Sequence, residues 1–395
     1  MMPMPEIGNI QKELRQAHLD GWLFCDHHHR DPIAYRILGL AENLATRRWF
    51  YFIPARGQPK KLVHRIESGM LDSLPGKKAE YSAWPELAGR LRGILGRAKT
   101  VAMQYSPNNA IPVVSLVDAG TLELVRSFHK KVVSSADLVQ LFEARWTPQQ
   151  LDSHLAAGVI VDGIMADAFK EIAFALGQGR ELNEFELQQW ILDRFHKLNL
   201  ETDDPPIVAV NRNSSNPHYQ PTARLHLPIR RNDFVLLDIW AKQKLPHAVY
   251  YDITWTGFVG RETTPRHRQI FEIVREARDR AVDFVQESVS RGRPIAGWQV
   301  DDVCRRHIRR KGFGKYFTHR TGHSIGRDVH GNGANMDNFE THDTRPILPG
   351  TCFSIEPGIY LPEFGIRSEV DVYVDASAAR VTGTVQQQPV PILAL

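Results

Sequence analysis

Four carboxylates and one imidazole, each framed by apolar or glycine-rich neighbours, are spaced through the second half of this chain. Asp238 sits in Leu236-Leu237-Asp238-Ile239-Trp240 and Asp252 in Tyr250-Tyr251-Asp252-Ile253-Thr254. His323 follows Thr321-Gly322 and precedes Ser324-Ile325-Gly326, Glu356 lies between Ile355 and Pro357-Gly358, and Glu369 closes Gly365-Ile366-Arg367-Ser368. A carboxylate inside an apolar run is costly unless something compensates it, and cations do so. The set suits two divalent cations that activate a water, which makes a dimetal hydrolase the expectation.

Taken singly, each position has an ordinary reading. Asp238 and Asp252 lie on apolar runs separated by Lys242-Gln243-Lys244-Leu245-Pro246, a turn that would make a hairpin. Antiparallel pairing can then put both carboxylates on one face. Either Asp alone is equally a strand-end residue satisfied by backbone amides. His319 stands four residues before His323, the spacing of a helical zinc pair. The intervening Arg320-Thr321-Gly322 lacks the catalytic Glu of such a motif, and its glycine opposes a helix. His330 follows in Asp328-Val329-His330-Gly331, so two histidines bracket a glycine-containing turn. Glu356 precedes a Pro-Gly turn and Glu369 precedes the alternating run Val370-Asp371-Val372-Tyr373-Val374. Each glutamate alone is a surface strand-end residue. Five such coincidences in this order are improbable.

At 395 residues the chain is long for one core, and two domains are expected. A hydrophobic content of 42% and a charged content of 24% are ordinary globular values. A net charge of +4 with both signs mixed is too small to imply nucleic acid. Cys25, Cys304 and Cys352 form no CxxC pair and are odd in number, which fits a reducing cytoplasm. No run reaches the roughly 18 apolar residues of a membrane span. Residues 1–11 carry no apolar signal core.

The first 145 residues alternate helix and strand signals, predicting a small α/β domain. Helices are expected over 7–18 and 84–95, and strands over 21–25, 49–53, 61–64, 100–103 and 122–125. A boundary falls near Arg145-Trp146. Thr147-Pro148-Gln149-Gln150 then supplies an N-cap, a proline at the first helical position and a capping-box Gln, opening a helix to about 176. Asn183 and Glu186 repeat the signal for a helix to about 198, and Thr264-Pro265 opens another to about 291. Strand runs at 206–210, 234–240, 249–259, 351–355 and 370–374 complete an α+β pattern with a largely antiparallel sheet. The basic run 305–311 follows Asp301-Asp302 and ends at Gly312, as an ordinary helix complementing its dipole would. Adjacent His27, His28 and His29 cannot all face one ion on a strand, so a loop is expected there.

The ordered set Asp238, Asp252, His323, Glu356, Glu369 resembles the ligand set of the pita-bread metallopeptidases, which include methionine aminopeptidase, aminopeptidase P and prolidase. His218, in Asn216-Pro217-His218-Tyr219, and His330 resemble the family's two accessory histidines. The motifs span 205–374. The first domain resembles, more loosely, the N-terminal domain of creatinase, prolidase and aminopeptidase P, which favours the proline-specific branch. The resemblance implies residues 146–395 as a pita-bread catalytic domain and 1–145 as a smaller creatinase-like α/β domain. Some positions depart from the pattern. The two Asp residues are 14 apart, Trp255 replaces an Arg, Ser368 replaces an apolar residue, and Val370-Asp371 replaces an acidic start after the last ligand. None removes a ligand.

The family likeness implies two divalent metal ions per chain, with manganese foremost and cobalt or zinc compatible. It also implies a proline-containing di- or oligopeptide substrate, a homodimer, and neither nucleic-acid nor membrane partners. Hydrolysis of Xaa-Pro dipeptides is the leading expectation. Aminopeptidase P activity on longer peptides is the alternative; a creatinase-like hydrolase or a non-catalytic binding protein would have lost ligands. Glu356 is the expected proton shuttle, with His218 and His330 acting on the substrate carbonyl or carboxylate. Arg367 is expected to orient Glu369 and contact substrate, and Arg345, in Asp343-Thr344-Arg345-Pro346, to meet a dipeptide carboxylate. In relatives the N-terminal domain approaches the partner's active site, which makes the loop 26–31 a candidate contributor across a dimer.

Overall fold

The computed structural model describes residues 7–41 and 44–394. Residues 1–6, read above for a signal core, lie outside these. The chain divides into two compact units, Met1–Glu143 and Ala144–Leu395. Among the described residues no helix is long and apolar enough to cross a membrane.

The first unit holds one six-stranded sheet in the order β4-β3-β2-β1-β5-β6. Its strands are β1 (Gly21–Asp26), β2 (Trp49–Pro54), β3 (Lys60–His64), β4 (Lys77–Tyr81), β5 (Thr100–Met103) and β6 (Lys131–Ser134). Helices α1 (Ile7–Gln16), α2 (Pro32–Leu38), α3 (Trp84–Leu95), α4 (Ala119–Ser127) and α5 (Ala136–Val139) accompany it. Separate clusters built on Trp22, Phe24 and Trp49 and on Leu23, Phe50 and Leu62 show alternate strand residues facing opposite layers. One expectation is overturned. Residues 122–125 are not a strand but the middle of α4, where Asp118 accepts the Thr121 N–H at 2.8 Å and caps the helix. Thr121, Leu122 and Val125 are its buried side, a spacing that four apolar-rich residues alone do not reveal. The triple histidine lies in the loop after β1. Its tight course is held by Asp26, whose carboxylate accepts from the backbones of His29, Arg30 and Asp31 and from the Tyr35 hydroxyl.

The second unit is built on long helices backing short antiparallel sheets. α6 (Pro148–Gly177), α7 (Glu184–Lys197), α8 (Pro265–Ser290) and α9 (Gly297–Arg310) start within a residue or two of their caps. Thr147 Oγ1 accepts the Gln150 N–H at 3.2 Å while Gln150 returns a bond to the Thr147 N–H at 2.9 Å. The strands are β7 (Leu200–Glu201), β8 (Ile207–Val210), β9 (Phe234–Gln243), β10 (Tyr251–Phe258), β11 (Ser324–Ile325), β12 (Cys352–Ile355), β13 (Gly358–Tyr360), β14 (Gly365–Arg367), β15 (Val370–Val374), β16 (Ala379–Thr382) and β17 (Val390–Pro391). One sheet runs β17-β10-β9-β7 with β8 also on β9, a second runs β11-β12-β15-β16, and β13 pairs with β14. α6 packs its Val161, Met165, Phe169 and Ile172 on the β9–β10 hairpin, and α8 with α9 forms the apolar layer behind β12 and β15. Long helices against largely antiparallel sheets bear out the α+β pattern expected for this part of the chain.

A candidate dinuclear metal centre

Register places the two aspartates. Asp238 on β9 lies opposite Thr254 on β10, and Asp252 lies opposite Trp240. All four therefore share one face, with the carboxylates diagonal to each other. The second sheet delivers the other ligands. His323 immediately precedes β11, and its carbonyl accepts the Ser354 N–H at 2.9 Å while Ser354 Oγ accepts the His323 N–H at 3.0 Å. Glu356, just past β12, is tied by its N–H to the Thr321 carbonyl at 2.7 Å. Glu369 immediately precedes β15, with its N–H on the Thr254 carbonyl at 3.3 Å. Gly322 is required here: a Cβ at that position would overlap the Ser354 carbonyl oxygen.

The five side chains converge. One ligand atom each from Asp252, His323 and Glu369 lie within 4.8 Å of one another. His323 Nε2 is 3.6 Å from Asp252 and 3.4 Å from Glu356. Thr254 Oγ1 stands 3.0 Å from Asp238 and 2.7 Å from Glu369. The His323 Nδ1 faces the Ser324 carbonyl at 3.2 Å, so that nitrogen carries the proton and Nε2 offers its lone pair to the cluster.

The electrostatics fit divalent cations. Burial, then mutual repulsion with Asp238 and Asp252 respectively, pushes the Asp252 and Glu369 carboxyls well above the usual range. Burial pushes Glu356 up to about 7 against the pull of Arg367, and raises Asp238 against the same pull. Buried oxygens of Asp252 and Glu369 have no hydrogen-bond partner. Behind them Asp371, fully buried, accepts the Asp252 N–H at 2.9 Å. His154, 4.0 Å from Asp371, is held neutral, its pKa lowered by burial to about 4. Four ligand carboxylates and Asp371 face one buried cation, Arg367. If all ionise, the surplus is about four negative charges, which two divalent ions neutralise.

The other expected residues divide. His218 and His330 line the same cleft of about 730 Å³ as the five ligands. His330 stacks edge-on to His323 at 4.3 Å, and among the described residues neither accessory ring nitrogen has a protein hydrogen bond. Arg367 also lines the cleft, but it braces Asp238 through Nη2, meets Thr254 Oγ1 at 3.0 Å and meets Tyr360 at 3.2 Å. It makes no hydrogen bond to Glu369 among the described residues. Arg345 is not brought to the cleft. It is 3% exposed and its guanidinium is taken by Asp343 and by the Asn332 carbonyl at 2.8 Å. That pair also holds the Asn335 N–H, fixing the segment after His330. Thr254, Asp371 and Arg320 join the site in the structure without a motif of their own in the sequence. The alternation Asp252-Ile253-Thr254 placed Thr254 beside a ligand on the same face, a signal that was available.

A family model for metallopeptidase family M24 matches residues 153–376, more than half of the chain and a span that contains all five ligands. This chain belongs to metallopeptidase family M24. Among curated relatives it is 29% identical over 244 residues to a Xaa-Pro dipeptidase of Lactobacillus helveticus, covering 62% of this chain and 60% of that one. It is 31% identical over 195 residues to a putative Xaa-Pro aminopeptidase of Mycoplasma pneumoniae, covering 49% and 51%. The matches thus span about half to three-fifths of these relatives. Among solved structures it superposes on the dipeptidase PepE of Mycobacterium ulcerans with a TM-score of 0.73 at 21% identity, over 97% of this chain and 96% of that one.

Proposed function

We propose that this M24 chain hydrolyses the Xaa-Pro bond of dipeptides with two divalent cations held by Asp238, Asp252, His323, Glu356 and Glu369. The observation that carries the reading is the convergence of three buried carboxylates, the partly exposed Glu356 and His323 Nε2 on one cleft, with oxygens of Asp252 and Glu369 left unpartnered. Bound divalent ions supply Lewis acidity and water activation at neutral pH. The side chain of Glu356 is 13% exposed, and Glu369 as a residue only 1%. Glu356 is therefore the ligand placed to take a proton on its carboxylate and pass it to the leaving nitrogen. His218 and His330, with free ring nitrogens, hydrogen-bond the substrate carbonyl oxygen as it gains charge. Pro205, Ile207, Pro217, Trp240 and Val329 line the same cleft and offer an apolar wall for a proline ring.

Manganese is the proposed native metal, with cobalt and zinc as alternatives, and a cytoplasmic homodimer the proposed form. Three unpaired cysteines support a reducing compartment. Residues 1–145 are the proposed N-terminal domain and 146–395 the proposed catalytic domain, with loop 26–31 contributing across a dimer. The Mycoplasma relative's name favours a second reading, release of the residue before proline from longer peptides. The test is hydrolysis of a Xaa-Pro dipeptide beside Xaa-Pro-Xaa and Xaa-Ala peptides by metal-stripped protein reloaded with Mn or Co. We expect the Xaa-Pro dipeptide to be cut fastest. Equal rates on Xaa-Ala, or no metal-dependent cleavage, would refute proline-directed hydrolysis.

A further inference from the structure

We propose that Arg320 receives the C-terminal carboxylate of the dipeptide and so sets a preference for free dipeptides over amidated or longer ones. The inference rests on the hydrolytic reading above and deepens it.

Most polar groups of the cleft are already committed. Arg367 is bound to Asp238, Thr254 and Tyr360. His319 has both ring nitrogens engaged, one at 2.6 Å from the Arg320 carbonyl and one at 2.7 Å from the Tyr360 hydroxyl. Gln220 bridges Gln188 and the Pro205 carbonyl. The anions at the rim, Asp204 and Glu340, repel a carboxylate. Glu340 accepts the Arg320 backbone N–H at 3.0 Å, which fixes the main chain and leaves the guanidinium free. That guanidinium has no hydrogen bond or ion pair among the described residues, although Arg320 lines the cleft and is half-buried. Among the described residues that line the cleft, Arg320 is the arginine left for a ligand, since Arg367 is committed. Arg345, by contrast, is spent on Asp343 away from the cleft.

Arg320 is also held in place. Asp301 on α9 accepts the Thr321 N–H at 2.9 Å and the Thr321 hydroxyl at 2.7 Å. Arg305, paired with Asp301, donates to the Phe317 carbonyl at 3.2 Å and the His319 carbonyl at 2.7 Å. The segment that carries Arg320 is thereby braced on both sides. Arg320 lines the same cleft as the five ligands, as the length of the substrate requires. The carboxylate carbon of a C-terminal proline is only two bonds, or about 2.5 Å, from the leaving nitrogen. A receptor for it must stand beside the groups that serve that nitrogen. A guanidinium meets a carboxylate with two parallel charge-assisted bonds, which an amide cannot match.

The test compares kcat/KM for one Xaa-Pro dipeptide and its C-terminal amide, using the full Mn-loaded chain as wild type, Arg320→Ala and Arg320→Lys. Metal content and thermal melting of each variant are measured alongside. Wild type should prefer the acid by roughly 10–150-fold, the scale of one charged hydrogen-bonded contact. In Arg320→Ala that ratio should collapse toward one, and Arg320→Lys should keep part of it. A ratio unchanged in Arg320→Ala, a parallel fall on both substrates, or no acid preference in wild type overturns the assignment. Cleavage of both peptides without preference leaves the hydrolytic reading standing. If wild type cleaves neither, that reading fails, and calorimetry of the two peptides decides the carboxylate site. Tighter binding of the acid that Arg320→Ala abolishes supports it, and equal binding removes it.

Discussion

Glu184 offers the sharpest test of how the scaffold holds the His218 side of the cleft. It is the first residue of α7 and fully buried. Its Oε1 accepts the Val210 N–H at 2.6 Å, and its Oε2 accepts the Leu227 N–H at 2.6 Å and the Tyr219 hydroxyl at 2.7 Å. Asn213 donates to both oxygens at 3.0 Å. One carboxylate thus gathers the end of β8 and both flanks of the segment carrying Pro217 and His218. Removing it in Glu184→Ala strands four donors, of which the Val210 N–H and the Tyr219 hydroxyl are buried and cost roughly 1–3 kcal/mol each before relaxation, so a loss of about 2 kcal/mol or more is expected. Glu184→Gln is milder. Its remaining oxygen can keep Val210 and Asn213, and the Tyr219 hydroxyl can turn to accept from the new amide. The part-buried Leu227 N–H alone then loses its acceptor, for about 1 kcal/mol.

The charge adds a pH signature. Burial holds the Glu184 carboxyl above its usual range, against the hydrogen bonds that pull it down. Between the unfolded and folded pKa values the folded state binds more protons, so wild type loses stability as pH rises through that window and Glu184→Gln does not. The gap between the two should narrow with rising pH. Denaturant unfolding measures the stabilities, and kinetics on a Xaa-Pro dipeptide should show a raised KM for Glu184→Ala with metal content kept, since no proposed ligand lies on α7 or this loop. Unaltered stability in Glu184→Ala, or lost metal with a normal KM, would refute the reasoning.

Three further outcomes are expected. Asp252→Asn should lose at least one of two metal equivalents by elemental analysis after reconstitution; full occupancy would remove Asp252 from the ligand set. His330→Ala should keep its metal and lose roughly 10²–10³ in turnover, the scale of one oxyanion donor, so near-normal kcat in a metal-replete variant contradicts its role. Gly322→Ala should cost about 1–3 kcal/mol as the strand end moves off Ser354, and should weaken metal binding because His323 is the next residue. A normal melting temperature together with normal metal affinity would show that the segment relaxes freely.

What was legible in the sequence was local. Thr147, Pro148 and Gln150 announce α6 because a cap acts over three residues, and the structure closes that box. Asp238 and Asp252 could be put on one face because strand geometry alternates, and the observed register does so. The failures concern partnership, whether with a near neighbour or across strands. Leu122 and Val125 fit either period until Asp118 is recognised as the cap. Arg367 was expected on Glu369, two residues away, but its guanidinium crosses to Asp238 on another strand.

The two arginines near the cleft make the same point more sharply. Arg345 looked available beside a proline, yet Asp343, only two residues earlier, takes its charge, and the Asn332 carbonyl takes another donor. Arg320 looked like a spacer between two histidines, yet the surrounding bonds spend its backbone and spare its side chain. Whether a cation is structural or available depends on what else is charged within a few ångströms, and a one-dimensional pattern does not carry that information. The metal ligands escape this difficulty because all of them must point at the same place. Five groups on one cleft, two of them with buried oxygens left unpartnered, constrain one another, so their order in the chain retains a trace of the site. A single substrate-binding arginine has no such partners in sequence. Its role comes into view only after the acceptors around it have been counted and the guanidinium is left over.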